Sequence, residues 1–175
     1  MSTITTPRGD IFIREALPAD AIQFRELRLL ALQESPTAFS ADYETNASKP
    51  MSFWQNRIAD TTGAAIFFAE INEQLIGMTG IRCGETPKTR HNGYILSVYV
   101  HPHWRGLRIA ESLIGACAEW ASRNQITILK LAVVATNTSA IRCYERCGFI
   151  TYGTEPDTII YDGQSYNEYL MYRQL

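Results

Sequence analysis

The residues best suited to chemistry lie in one run, Leu96-Ser97-Val98-Tyr99-Val100-His101-Pro102-His103-Trp104-Arg105-Gly106-Leu107-Arg108-Ile109-Ala110. It reads as a buried strand, a short turn built on Pro102, and the start of a helix that carries Arg105, Gly106 and Arg108. Free N–H groups at a helix start, with guanidinium groups beside them, favour a phosphate or diphosphate as occupant. A second run, Asn137-Thr138-Ser139-Ala140-Ile141-Arg142-Cys143-Tyr144-Glu145-Arg146-Cys147-Gly148-Phe149, supplies an amide and a phenol able to donate a proton at neutral pH. Taken singly, Arg105-Gly106 also fits an ordinary helix start, Asn137 a helix cap and Tyr144 a core aromatic.

The elements that must position these residues follow from periodicity and turn residues. A strand is expected at 11–15 and a helix at 18–33, with Ile22, Leu27, Leu30 and Ala31 on its apolar face. Residues 34–50 read as an irregular connection and 52–60 as a short helix. Strands at 64–71 and 74–83 pair as a hairpin about Asn72-Glu73. After a polar loop comes a strand at 93–100, with Leu96, Val98 and Val100 on one side and Ile95, Ser97 and Tyr99 on the other. Residues 105–123 form the clearest helix, with Ile109, Leu113, Cys117, Trp120 and Ala121 on one stripe. An almost unbroken apolar strand at 126–135 is expected to have both faces covered. A helix at 137–147 ends at Gly148, which suits a left-handed cap. Strands at 149–154 and 166–172 close the chain. The order predicts a mixed α/β fold with an antiparallel first half and at least one strand–helix–strand crossover.

Composition narrows the function. The chain has 175 residues, 46% of them apolar and 19% charged, which suits a globular domain with a sizeable core. A net charge of −2 gives no basic field for nucleic acid. No apolar run reaches the ~18 residues that span a bilayer, and Met1 to Arg8 has no signal-peptide pattern, so a cytoplasmic protein is expected. Cys83, Cys117, Cys143 and Cys147 form no CxxC pair and have no histidine at ligand spacing, so no metal is expected.

The two runs, separated by one amphipathic helix and one apolar strand, resemble the GNAT superfamily of N-acetyltransferases. Arg105-Gly106-Leu107-Arg108-Ile109-Ala110 is similar to the family's coenzyme A loop, Gln/Arg-x-x-Gly-x-Gly/Ala, with Arg108 where the family usually has glycine. The second run resembles the family's Asn-x-x-Ala-x-x-x-Tyr-x-x-x-Gly-Phe segment. The resemblance implies a GNAT-like fold: a central, mostly antiparallel mixed sheet of about seven strands with four helices, splayed at its central strands. Residues 1–10 are then a short tail and 11–175 a single N-acetyltransferase domain.

What the resemblance implies about chemistry is specific. Acetyl-CoA is the co-substrate, and an acetyl group passes to a primary amine of a small molecule or of a peptide or protein. The strand at Val98, Tyr99 and Val100 carries the family's bulge, is splayed from its neighbour by it and bonds the pantetheine arm, and an N–H near Val98 polarises the thioester carbonyl. The diphosphate lies over the N–H groups from Gly106 through Leu107, Arg108, Ile109 and Ala110 to Glu111, with Arg105 beside it. Asn137 approaches the pantetheine, and Tyr144 protonates the leaving thiolate. The family's glutamate five residues before the asparagine is missing, since Ala132 stands there; Glu34, His91 and Tyr99 are weak substitutes. Aromatic and acidic residues at 26–54 and 157–169, among them Glu34, Phe39, Tyr43, Glu44, Asp157, Tyr161, Asp162, Tyr166 and Glu168, are expected to shape the acceptor site. Homodimers through late strands or exposed edges fit the family. The alternative reading is a catalytically idle acyl-CoA-binding sensor; the two differ in whether any amine releases CoA.

Overall fold

The computed structural model describes residues 2–175. Eight strands form one sheet in the order β1-β2-β3-β4-β5-β6-β8-β7. They are β1 (Ser2–Thr6), β2 (Gly9–Glu15), β3 (Ala64–Ile71), β4 (Gln74–Cys83), β5 (Asn92–Val100), β6 (Ile128–Val134), β7 (Ile150–Tyr161) and β8 (Gln164–Gln174). Five helices accompany them: α1 (Ala21–Glu34), α2 (Tyr43–Ala47), α3 (Met51–Ala59), α4 (Ile109–Arg123) and α5 (Thr138–Arg146). The fold is thus the mixed, mostly antiparallel α/β sheet expected, with one strand and one helix more. The added strand is β1, which pairs with β2 within the stretch read as tail. The added helix is α2, one short turn set in the connection read as irregular, with Asp42 capping it through the Thr45 N–H at 2.7 Å.

All neighbouring strands run antiparallel except β5 and β6, which α4 connects. A parallel pair needs such a crossover. Helix α4 lies on one face of the sheet, where Leu113, Ile114, Cys117 and Ala121 pack with residues of β2 to β6. Helices α1 and α3 cover the other face through Phe24, Leu27, Ala31, Trp54 and Ile58, packed against Phe68, Met78 and Tyr99. The buried stripe of α1 is therefore Phe24-Leu27-Arg28-Ala31, and the expected Ile22 and Leu30 are exposed. The stripe turned because α1 meets α3 and β4 together.

Two sequence expectations about β5 and α4 need correction. Between the pairs Gly80–Leu96 and Met78–Tyr99, one residue of β4 faces two of β5, and Ser97 takes φ +57°. This bulge shifts the alternation by one. Ile95, Val98 and Val100 consequently share the α4 side, Tyr99 joins the α1 side, and Leu96 is exposed. Helix α4 begins at Ile109 and not at 105, because Gly106 (φ +82°) and Arg108 (φ +57°, ψ +23°) are left-handed. Strand β6, expected to be covered on both faces, leaves Ala132 exposed.

Candidate active site between the parted strands

The parallel pairing of β5 with β6 is confined to Asn92, Gly93 and Tyr94 against Ile128, Leu129 and Lys130. Beyond it the two strands part. From Ile95 onward β5 pairs only with β4, and from Leu131 onward β6 pairs only with β8. A cleft of about 800 Å³ opens in the gap, lined by β5, β6, the 105–109 loop, the first turn of α4, and α5. Backbone groups on the facing edges of β5 and β6 have no strand partner there, so an extended ligand can take them up as an added strand would.

The loop that lines the cleft before α4 has a backbone suited to an anion. Arg105 is extended, Gly106 and Arg108 are left-handed, and Ile109 starts the helix. Successive N–H groups across such a left-handed-to-helical junction converge on one point, and the helix dipole adds to their field. Left-handed Arg108 also accounts for the glycine usual at this position, which has no Cβ to strain. The loop thus does not need the right-handed angles that a helix starting at 105 would impose.

Of the residues expected to contact cofactor, Val98, Tyr99 and Val100 line the cleft. So do Arg105, Gly106 and Arg108, and the first-turn residues Ile109, Ala110 and Glu111. Leu107 does not; its side chain packs into the α4 core. The Arg105 guanidinium is already engaged. Its Nε donates to the Val100 carbonyl at 3.0 Å and its Nη2 to Glu34 at 2.8 Å. Glu111 would repel a diphosphate, but Arg146 of α5 lies 2.7 Å from its Oε1. Burial alone would raise the Glu111 pKa; the Arg146 hydrogen bond and charge outweigh it and hold the carboxyl below its usual value.

Asn137 and Tyr144 line the same cleft from α5. Asn137 Oδ1 caps the helix, accepting from the Ala140 N–H at 3.2 Å and the Ser139 hydroxyl at 3.0 Å. The Tyr144 ring is buried edge-on to Phe149, with centroids 6.1 Å apart. Burial, with the nearby Cys143 and Cys147 sulfurs, pushes its pKa up, so the phenol keeps its proton across the physiological range.

The weak base candidates fall away. Glu34 is occupied by Tyr99 and Arg105. The Tyr99 hydroxyl donates to Glu34 at 2.7 Å, and burial and that carboxylate push its pKa up. His91 sits before β5, its carbonyl taken by Thr127 and Ile128, and does not line the cleft. Glu168 offers another carboxylate to the cleft. On β8 it faces Val134, while Leu170, two residues on, faces Ala132. Glu168 is therefore the diagonal neighbour of the position where the family's glutamate is missing, on the same face of the sheet. Glu155 of β7 stands directly opposite it. Burial first, and the Glu155 charge second, raise the Glu168 pKa. Of the other acceptor-region residues named from the sequence, Phe39 lines the cleft, whereas Tyr43, Glu44 and Asp157 do not.

The sequence pattern of the acetyltransferase (GNAT) family matches residues 26–149. The chain belongs to that family. Its members are acetyl-CoA-dependent acetyltransferases, and this chain is an N-acetyltransferase. Over 124 residues it is 27% identical to the L-amino acid N-acetyltransferase AaaT of Escherichia coli, covering 69% of this chain and 74% of that one. Over 153 residues it is 22% identical to an aminoglycoside N(6')-acetyltransferase type 1 of Stenotrophomonas maltophilia, covering 85% and 90%. A putative acetyltransferase from Salmonella typhimurium, solved with its cofactor acetyl-CoA, shares the fold with a TM-score of 0.78 at 20% identity, covering 94% of each chain.

Proposed function

We propose that the protein transfers the acetyl group of acetyl-CoA to a primary amine of a small molecule, by direct attack on the thioester in the β5–β6 gap. The observation that carries this reading is the parting of β5 from β6 just where the left-handed loop at Gly106 and Arg108 faces the same cleft. A diphosphate, a pantetheine arm and a thioester need such a cradle and such a ribbon in line. The two curated relatives, named for amino acid and aminoglycoside acetylation, support a small-molecule acceptor.

Bound acetyl-CoA supplies an activated acyl carbon and a thiolate leaving group. The chain does the rest. Loop N–H groups from Gly106 to Glu111 hold the diphosphate, and the Asn137 amide meets the pantetheine. A backbone N–H near Val98 stabilises negative charge on the carbonyl oxygen. The Glu168 carboxylate takes the proton that the amine gives up as the N–C bond forms. Tyr144 Oη gives a proton to the sulfur as the C–S bond breaks. Raised pKa values suit both tasks: a carboxylate becomes the stronger base and a phenol stays protonated.

A thiol-release assay with acetyl-CoA over polyamines, aminoglycosides, amino acids and peptide N-termini tests the reading. Release of CoA with at least one small amine is expected. Tight acetyl-CoA binding with no release for any amine would identify the idle sensor.

A further inference from the structure

Helix α1 buries a cation in its apolar stripe. Arg28 follows Leu27 and precedes Ala31 on the face that packs against α3 and the sheet, and it is 6% exposed. Its Nε and Nη1 are buried without any hydrogen-bond partner, and none of the ion pairs among the described residues includes it. The guanidinium lies 4.5 Å from the centroid of Phe39, and both residues line the cleft. The charge that acts on it most is another cation, Arg57, itself half-buried over the Phe24 and Phe53 rings. Burial, then the Arg57 charge, bring Arg28 down to about 10, which still leaves it charged at neutral pH.

A buried charge without a partner is strongly unfavourable in a finished core. Here it becomes favourable if a ligand brings the missing anion. The diphosphate cradle lies on the α4 side of the sheet, whereas Arg28 belongs to the α1 side. The turn at Pro36–Ala38, just before Phe39, packs against β6 and β7, the neighbours of β8 and its Glu168. A cation and a carboxylate thus face one cleft at its acceptor end.

We propose that Arg28 anchors a carboxylate on the acceptor, so that the amines taken are amino acids. This rests on the acetyl-transfer reading above. The acceptor's carboxylate meets the guanidinium held over the Phe39 ring, and its amine meets Glu168. The Phe39 ring limits where the guanidinium can sit, which favours its fork-like pairing with a carboxylate.

The test uses matched pairs: several α-amino acids, each beside its own carboxamide, with acetyl-CoA and thiol release as readout. The unaltered protein is expected to favour the acid by about 100-fold in kcat/KM, the scale of a charged hydrogen bond left unmade. The amide's amine is the less basic and so the more available, which makes the comparison stringent. Arg28→Met keeps the stem, is expected to bring the pair within about fivefold, and leaves acetyl-CoA affinity unchanged. It is also expected to raise Tm, because an unpaired buried charge is gone. Amides turned over as well as acids by the unaltered protein, or an acid preference intact in Arg28→Met, would overturn the proposal and leave acetyl transfer standing. No release from either set, nor from the other amines, would bring down both. The unaltered protein decides the matter alone if the variant does not fold.

Discussion

Arg105 and Tyr99 donate to the same oxygen, Glu34 Oε2, at 2.8 and 2.7 Å. The last residue of α1 is thereby tied to β5 and to the first residue of the loop before α4. One carboxylate thus links two walls of the cleft: the α1 side, proposed for the acceptor, and the β5–loop side, proposed for acetyl-CoA. Arg105, expected from the sequence as a phosphate contact, serves in this arrangement as a clamp on the Val100 carbonyl and on Glu34.

Glu34→Ala removes the clamp. The part-buried Tyr99 hydroxyl loses its acceptor, and the half-exposed Arg105 loses less, so stability is expected to fall by about 1–2 kcal/mol. Since the clamp spans both walls, KM for the amine should rise several-fold. Denaturant unfolding and steady-state kinetics check the two parts; an unchanged KM would confine Glu34 to a structural role.

Arg108 holds a left-handed conformation that glycine adopts freely. Arg108→Gly is therefore expected to keep stability within about 1 kcal/mol of the parent. Arg108→Val places a β-branched residue at positive φ and is expected to destabilise by about 1–2 kcal/mol and to weaken acetyl-CoA binding. Thermal unfolding with and without acetyl-CoA compares the three proteins. Equal behaviour of Val and Gly variants would mean that the loop's left-handed turn does not matter.

Tyr144→Phe leaves the ring against Phe149 and deletes the proton. A fall in kcat of about 100-fold is expected, with acetyl-CoA Kd unchanged. Undiminished kcat would remove the phenol from thiolate protonation. Because burial raises the Tyr144 pKa, no loss of rate from its ionisation is expected below about pH 10.

Glu168 must be deprotonated to act as base. Its pKa is raised, so kcat/KM should fall as pH drops, with a midpoint above the usual ~4.3 of a glutamate. The stability sign is opposite to that of a salt-bridged acid. The folded state holds this proton more tightly than the unfolded chain, so ionisation above that pH destabilises. Glu168→Gln is expected to lose the limb set by Glu168, keeping only that set by the amine's own protonation, and to lose most of the rate while keeping or raising Tm at neutral pH. An unchanged profile would assign the base elsewhere.

Much of the fold was legible because it rests on local patterns. The β3–β4 hairpin ends where Asn72-Glu73 and the alternation place it, and the α4 stripe is buried as its spacing predicts. The resemblance implies a bulge in β5, but the residues themselves do not mark its place at Ser97, and with that place goes the facing of Leu96 and Ile95. The start of α4 was misplaced because left-handed angles at Arg108 are invisible where no glycine signals them. Arg28 and Glu168 depend on long-range placement: the first on the turn of α1 toward α3, the second on the register of β8 against β6. Neither can be read from its neighbours in the chain.

The proposed transfer requires that the Gly106–Arg108 loop grip the diphosphate of acetyl-CoA. Calorimetric titration of acetyl-CoA into the unaltered protein and into Gly106→Asp tests it most directly. Gly106 has φ +82° and open space where a Cβ would stand, so the aspartate brings backbone strain and a negative charge without a steric clash. Saturable binding by the parent and a loss of at least about 100-fold in the variant, with its far-UV spectrum unchanged, is the result predicted; equal affinity in the two proteins would contradict it.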